Sequence, residues 1–237
     1  MRPLMNRWMD FARRVDLVAY ASRAEECASI GFAGAQRHGE REFEEIAEAY
    51  TTPKRFYHTL DEHIGFCIDR LDELFSGNIP LAAEGALWFH DACPSEDASA
   101  EMARRILKSM YAPHKLIHDV CALIEVTKHK AAPHVMLFGE DGRKRPYDYE
   151  LDVQAGIVAD IDLLILGTDD ETFDNYEVTV AREYAHVDES IRRRVRGEIL
   201  ESILTRDVIY NHRKIREQYE AQARKNLARS IAKLRAV

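Results

Sequence analysis

Every periodic stretch of this chain repeats its apolar residues at spacings of three and four, and none sustains the alternation of a half-buried strand. The pattern runs from Met5 to Ala19 and again from Phe43 to Tyr50. After a break at Thr51-Thr52-Pro53, the residues Leu60, Ile64, Cys67, Leu71 and Leu74 make one inward stripe ending near Gly77, with His63 on it. Thr59 followed by Glu62 predicts a cap that starts this helix at Leu60 and leaves His58 just outside. Pro80 suits the first turn of a helix through His90, and Ser95 caps the next, with Glu96 and Asp97 in its first turn. Pro113 opens a helix whose stripe is Leu116, Val120, Leu123, Ile124 and Thr127, finishing at Lys128-His129. A helix from Tyr149 to Leu166 carries Val153, Ile157, Ile161 and Leu164 inward and stops at Gly167. Others follow from about Glu171 to Val187 and Asp188 to Arg206, and a last one starts near Asn211. The chain reads as all-α.

At 237 residues it lies within what one domain can fill, so one domain over residues 1–237 is expected. No apolar run approaches the roughly 20 residues of a membrane span, and the N-terminal residues lack the long apolar core of a leader, which makes the cytoplasm the expected location. Four widely spaced cysteines, Cys27, Cys67, Cys93 and Cys121, form no C-x-x-C pair and read as reduced, buried thiols. Net charge is -8, yet Ile191 to Val237 hold thirteen Lys and Arg against five Asp and Glu. In a helical tail such an excess more often gives a solvated face, or docks onto the acidic remainder of the same chain, than binds nucleic acid. From Ala131 to Pro146 the composition turns to Pro, Gly and basic residues, the longest irregular segment and a candidate lid.

One apolar run, Leu87-Trp88-Phe89, ends in the doublet His90-Asp91. An imidazole and a carboxylate at a buried helix end need something that compensates their desolvation, and a divalent metal would do so directly. Further ligand types sit inward elsewhere: His63 on its stripe, and Asp160 and Asp162 deep in apolar helix. Singly, each reads as a hydrogen-bonded or ion-paired core residue. Together, two histidines and two carboxylates suit a divalent ion that keeps open positions for water and phosphate oxygens.

This order of His, His-Asp and a distant Asp on a helical chain resembles the HD superfamily of metal-dependent phosphohydrolases. Tyr50, Pro53, Arg55, Tyr57-His58-Thr59-Leu60 with His63-Ile64, Trp88-Phe89-His90-Asp91, and Asp160-Ile161-Asp162-Leu163 with Leu166-Gly167 narrow the likeness to a bacterial subgroup of predicted HD-superfamily phosphohydrolases. Arg182-Glu183-Tyr184 and Ala223-Arg224-Lys225-Asn226-Leu227 extend it, so that it runs from about Tyr50 to Leu234. The resemblance implies an HD-type helical bundle with extra N- and C-terminal helices, its core at about 50–190 and basic helices over 191–237. It also implies metal ligands at His63, His90, Asp91 and Asp162, with Asp160 an alternative ligand or a supporting carboxylate. The ion would be Mn, Co, Ni, Fe, Mg or Zn. That subgroup spaces its two histidines four apart; here His58 and His63 are five apart.

The expected chemistry is hydrolysis of a phosphate ester, of a nucleotide or a related small phosphorylated metabolite, by metal-activated water. Glu96 or Asp97 is the candidate general base and His58 a candidate proton donor. Arg55, Lys128, Arg182 and Arg196 are candidate phosphate cations, each weighed equally as a surface ion pair. His129 reads as a helix cap ahead of a second-metal ligand. The expected partner is a small phosphorylated substrate, with a homodimer allowed and neither membrane nor nucleic acid expected. Two other classes stay open: an HD-fold nucleotide- or phosphate-binding protein without turnover, and a helical interaction protein using its basic C-terminal helix.

Overall fold

The computed structural model describes residues 3–22, 35–51, 54–75, 79–129 and 149–236. Ten α-helices are present, and no strand occurs among the described residues: α1 (Leu4–Ser22), α2 (Ala35–Ala49), α3 (Gly65–Phe75), α4 (Leu81–Phe89), α5 (Glu96–Ser109), α6 (His114–Val126), α7 (Tyr149–Asp162), α8 (Asp170–Glu183), α9 (Glu189–Leu204) and α10 (Arg213–Arg235). A single π-turn, Leu60–Ile64, leads into α3, and a 3₁₀ turn, Leu163–Gly167, follows α7. The all-α expectation is met. None of these helices is long and apolar enough to cross a membrane. The expected lid segment Ala131–Pro146 and Cys27 lie outside the described residues; Cys67 and Cys121 are buried thiols outside any disulfide and Cys93 is half-buried.

The chain divides into two compact units, Met1–Pro53 with His58–Val158, and Lys54–Tyr57 with Ala159–Val237. In the first, α4 is the hub. Its sequence is apolar on all sides, so every residue from Ala82 to Phe89 is buried, against α1, α3, α5 and α6. The Trp88 indole meets Trp8 edge-on at 5.5 Å and Phe43 at 6.5 Å, and Phe89 meets Trp8 at 5.9 Å. Trp8 Nε1 donates to the Gly39 carbonyl at 2.7 Å, which ties α1 to α2 beneath this cluster. Tyr50 Oη donates to the Trp88 carbonyl at 3.1 Å and satisfies one of the orphan acceptors at the end of α4. Glu84, buried in α4, pairs with Arg14 of α1; burial pushes its carboxyl up and Arg14 offsets part of that shift.

Close approach of α4 to its neighbours depends on Gly85, where an added Cβ would lie 2.9 Å from Val120 Cγ2 and 3.3 Å from Phe11 Cζ. Gly85→Ala should destabilise by about 1–3 kcal/mol despite the better helix propensity of alanine, because overpacking forces neighbours to shift. Urea unfolding monitored by circular dichroism checks this.

In the second unit α10 packs on α9 and on the 3₁₀ turn, and α8 packs on that turn as well. Ile215, Ala223, Leu227 and Ile231 of α10 are buried. The basic excess of the tail is met locally: Lys225 pairs with Asp170 at 2.9 Å, Arg229 with Asp174 at 2.8 Å and Arg235 with Glu201. One inward assignment is corrected. Val153 is 42% exposed, whereas Ile157, Ile161 and Leu164 are buried, because the first turns of α7 bury Leu151 and Ala155 instead.

Candidate metal centre

His63 owes its position to an irregular start. Thr59, with extended backbone, is the N-cap and its Oγ1 accepts from Glu62 N at 3.1 Å, as the capping pattern predicts. The turn that follows is wider than α: the amides of both His63 and Ile64 donate to the Thr59 carbonyl at 3.2 Å, and the Gly65 amide reaches Leu60. Single π-turns inside helices recur at functional sites. His58 stays ahead of the cap, and its ring centroid lies 5.6 Å from that of His63, nearly perpendicular to it.

His90 is the C-cap of α4 and is only 1% exposed; His63 is 2% exposed. Nδ1 of His90 lies 3.1 Å from the Leu87 carbonyl, which can only accept, so this nitrogen carries the proton and Nε2 keeps its lone pair. That Nε2 lies 3.0 Å from Nε2 of His63, whose Nδ1 is 3.8 Å from Cys67 Sγ. Asp91 Oδ2 completes a triangle, 3.2 Å from His63 Nε2 and 3.5 Å from His90 Nε2. Burial opposes ionisation of Asp91, but attraction by His90, a hydrogen bond and attraction from His63, and a smaller pull from His58 hold its carboxyl well below the usual carboxylate range. Two imidazole nitrogens this close beside a carboxylate suit a shared proton or a bound cation.

His63 and His90, both buried in the first unit, could supply two ligands to a metal ion. Both aspartates of Asp160-Ile161-Asp162 lie in the second unit, where Asp160 has its own partners. Asp160 is fully buried and its oxygens accept from Asn211 N at 2.7 Å, Asn211 Nδ2 at 2.8 Å and His212 N at 2.6 Å. Burial pushes its carboxyl up to about 6 against those three donors, which leaves it ionised at neutral pH. Its lone pairs tie the end of α7 to the start of α10. Further bonds hold the same turn: buried Asn226 donates through Nδ2 to the Leu166 and Thr168 carbonyls at 2.9 and 2.8 Å, and Tyr210 Oη donates to the Leu163 carbonyl at 3.2 Å. At Gly167 an added Cβ would lie 2.7 Å from Tyr219 Cβ and 2.8 Å from Tyr210 Oη, so only glycine admits this contact.

The other sequence candidates have identifiable surroundings. Glu96 is half-buried in the first turn of α5, five residues beyond Asp91, and Ser95 caps that helix through Ala98 N at 3.3 Å. Asp97 is 80% exposed and pairs with Lys128 at 2.9 Å. Lys128 also pairs with Glu125, and these two carboxylates raise its pKa to about 12. Arg196 donates to Tyr176 Oη at 2.7 Å and pairs with Glu177, so its charge is matched within the second unit. Arg182 is exposed and stacks on Phe56 at 4.1 Å; Arg55 is half-buried beside it in sequence. His129 follows α6 with φ of 50°, its amide donating to the Val126 carbonyl at 3.2 Å. Sequence reasoning named no role for Asn226, Tyr210 or Glu183, whose partners lie tens of residues away.

No family model, curated protein or solved structure matches the chain.

Proposed function

We propose that this chain is a metal-dependent phosphohydrolase with an HD-type helical bundle, holding a divalent cation through His63, His90 and Asp91, to which the resemblance adds Asp162. The observation that carries the reading is the 3.0 Å separation of the two Nε2 atoms beside Asp91 Oδ2. Two nitrogens each about 2.1 Å from one metal and about 90° apart would stand about 3.0 Å from each other. The donor set of imidazole and carboxylate suits Mn, Fe, Co, Ni or Zn, with Mg the poorest match to nitrogen. Asp162 is preferred over Asp160 because the oxygens of Asp160 are committed to Asn211 and His212.

A cation held there would lower the pKa of a water and draw charge from a phosphoryl oxygen. The chain's own residues would do the rest. Glu96, half-buried near the doublet, is the better general base, since Asp97 is exposed and bound to Lys128. His58, ring to ring with His63, would give a proton to the leaving oxygen. Lys128 and Arg196, which carboxylates already neutralise, are the weaker phosphate candidates. The interaction reading loses support from the same kind of observation, because Lys225, Arg229 and Arg235 meet carboxylates of their own unit.

Nucleotides and simple phosphate esters, screened with Mn, Co, Ni, Zn and Mg after chelator treatment, test the proposal. Metal-dependent release of phosphate or alcohol is the expected result; tight metal retention with no turnover of any ester would mark a binding protein instead.

A further inference from the structure

Lys54–Tyr57 belongs to no helix, and something else has to hold its backbone. The amides of Phe56 and Tyr57 both donate to a single atom, Oε2 of Glu183, at 2.9 and 3.0 Å. Side chains reinforce the hold. The Tyr57 ring is buried and packs edge-on against Tyr176 at 4.5 Å, and Phe56 lies beneath Arg182. Glu183 is the last residue of α8, where the partial negative charge of the helix end disfavours a carboxylate. Two backbone donors on one oxygen outweigh that cost.

The residue after Tyr57 is His58, and the residue after that is the Thr59 cap. Backbone fixed on both sides leaves His58 little freedom, which accords with its ring standing 5.6 Å from His63. We infer that Glu183 is a positioning residue: it clamps Phe56 and Tyr57 so that the His58 imidazole faces the histidine pair. The inference rests on the phosphohydrolase reading only where it makes His58 a proton donor; the clamp itself is a matter of structure.

Three variants separate these parts. Glu183→Gln keeps a carbonyl oxygen where Oε2 stands, Glu183→Asp keeps the charge but falls one methylene short, and Glu183→Ala removes the acceptor. In metal-free protein, the nuclear Overhauser contact between the rings of His58 and His63 should persist in the parent and Glu183→Gln and vanish in Glu183→Asp and Glu183→Ala. With p-nitrophenyl phosphate and Mn²⁺ as probe, kcat should fall about 10²-fold in the Asp and Ala variants, while Glu183→Gln recovers it. Persistence of the ring contact in Glu183→Asp would overturn the clamp, as would equal loss in Glu183→Gln and Glu183→Ala. If Glu183→Ala does not fold, the Asp and Gln pair still decides. A parent that turns over no ester would defeat the hydrolytic reading, and the ring contact alone would then judge the clamp.

Discussion

His90→Ala and Asp91→Ala should each yield a chain that no longer retains divalent metal through a desalting column. Loss of groups that merely support a metal ligand typically weakens binding by about 10–100-fold, and loss of a ligand should exceed that. His90 supplies Nε2 and Asp91 supplies Oδ2 to the same triangle with His63, so neither has a substitute nearby on α4. A ligand that binds only the folded state at 100 times its dissociation constant adds about 2.7 kcal/mol of stability, so the parent should melt later with metal and both variants should not. Glu96→Gln should behave differently. It should keep the metal and its thermal shift yet lose about 10²–10⁴-fold in kcat, the usual size of a general-base contribution. Elemental analysis and melting curves with and without Mn²⁺ read the first effect, and turnover reads the second.

The two aspartates of the Asp160-Ile161-Asp162 segment should fail in opposite ways. Asp160→Asn places an amide nitrogen where a carboxylate oxygen now accepts, facing either the His212 amide at 2.6 Å or the two donors of Asn211. One buried donor is then left unsatisfied beside another, which should cost about 3 kcal/mol and lower the urea midpoint while metal content survives in the folded fraction. Asp162→Asn should weaken metal binding instead. Equal loss of metal in the two variants at matched folded fraction would mean that Asp160 also faces the ion.

These aspartates also mark where sequence stops informing. Adjacent apolar residues make both look equally buried, and helical spacing cannot tell them apart. The distinction comes from Asn211 and His212, about fifty residues on, whose amides pair with Asp160. By contrast, the all-α class was legible because the spacing of three and four is a local property, and so were Thr59, Ser95 and Pro80 as helix starts. The meeting of His58 with His63 was legible for the same reason: a cap between them takes His58 off the helix, where five residues would otherwise point the two apart. The π-turn was not, since its bonds to the Thr59 carbonyl leave no signature in residue type. Val153 misled because a helix start shows its first apolar residue to solvent when Leu151 and Ala155 already fill the core. Lys128 and Asp97 lie 31 residues apart, and single-sequence reading has no means to match such ion pairs.

The most direct test of the central claim is a proton spectrum of the metal-stripped chain titrated with Co²⁺, whose unpaired electrons shift protons on ligating rings far outside the ordinary range. Both His63 and His90 should gain shifted ring signals at one equivalent, and each set should disappear in the corresponding alanine variant. Saturating Co²⁺ that leaves the rings of both histidines at their metal-free positions would contradict a metal centre at His63, His90 and Asp91.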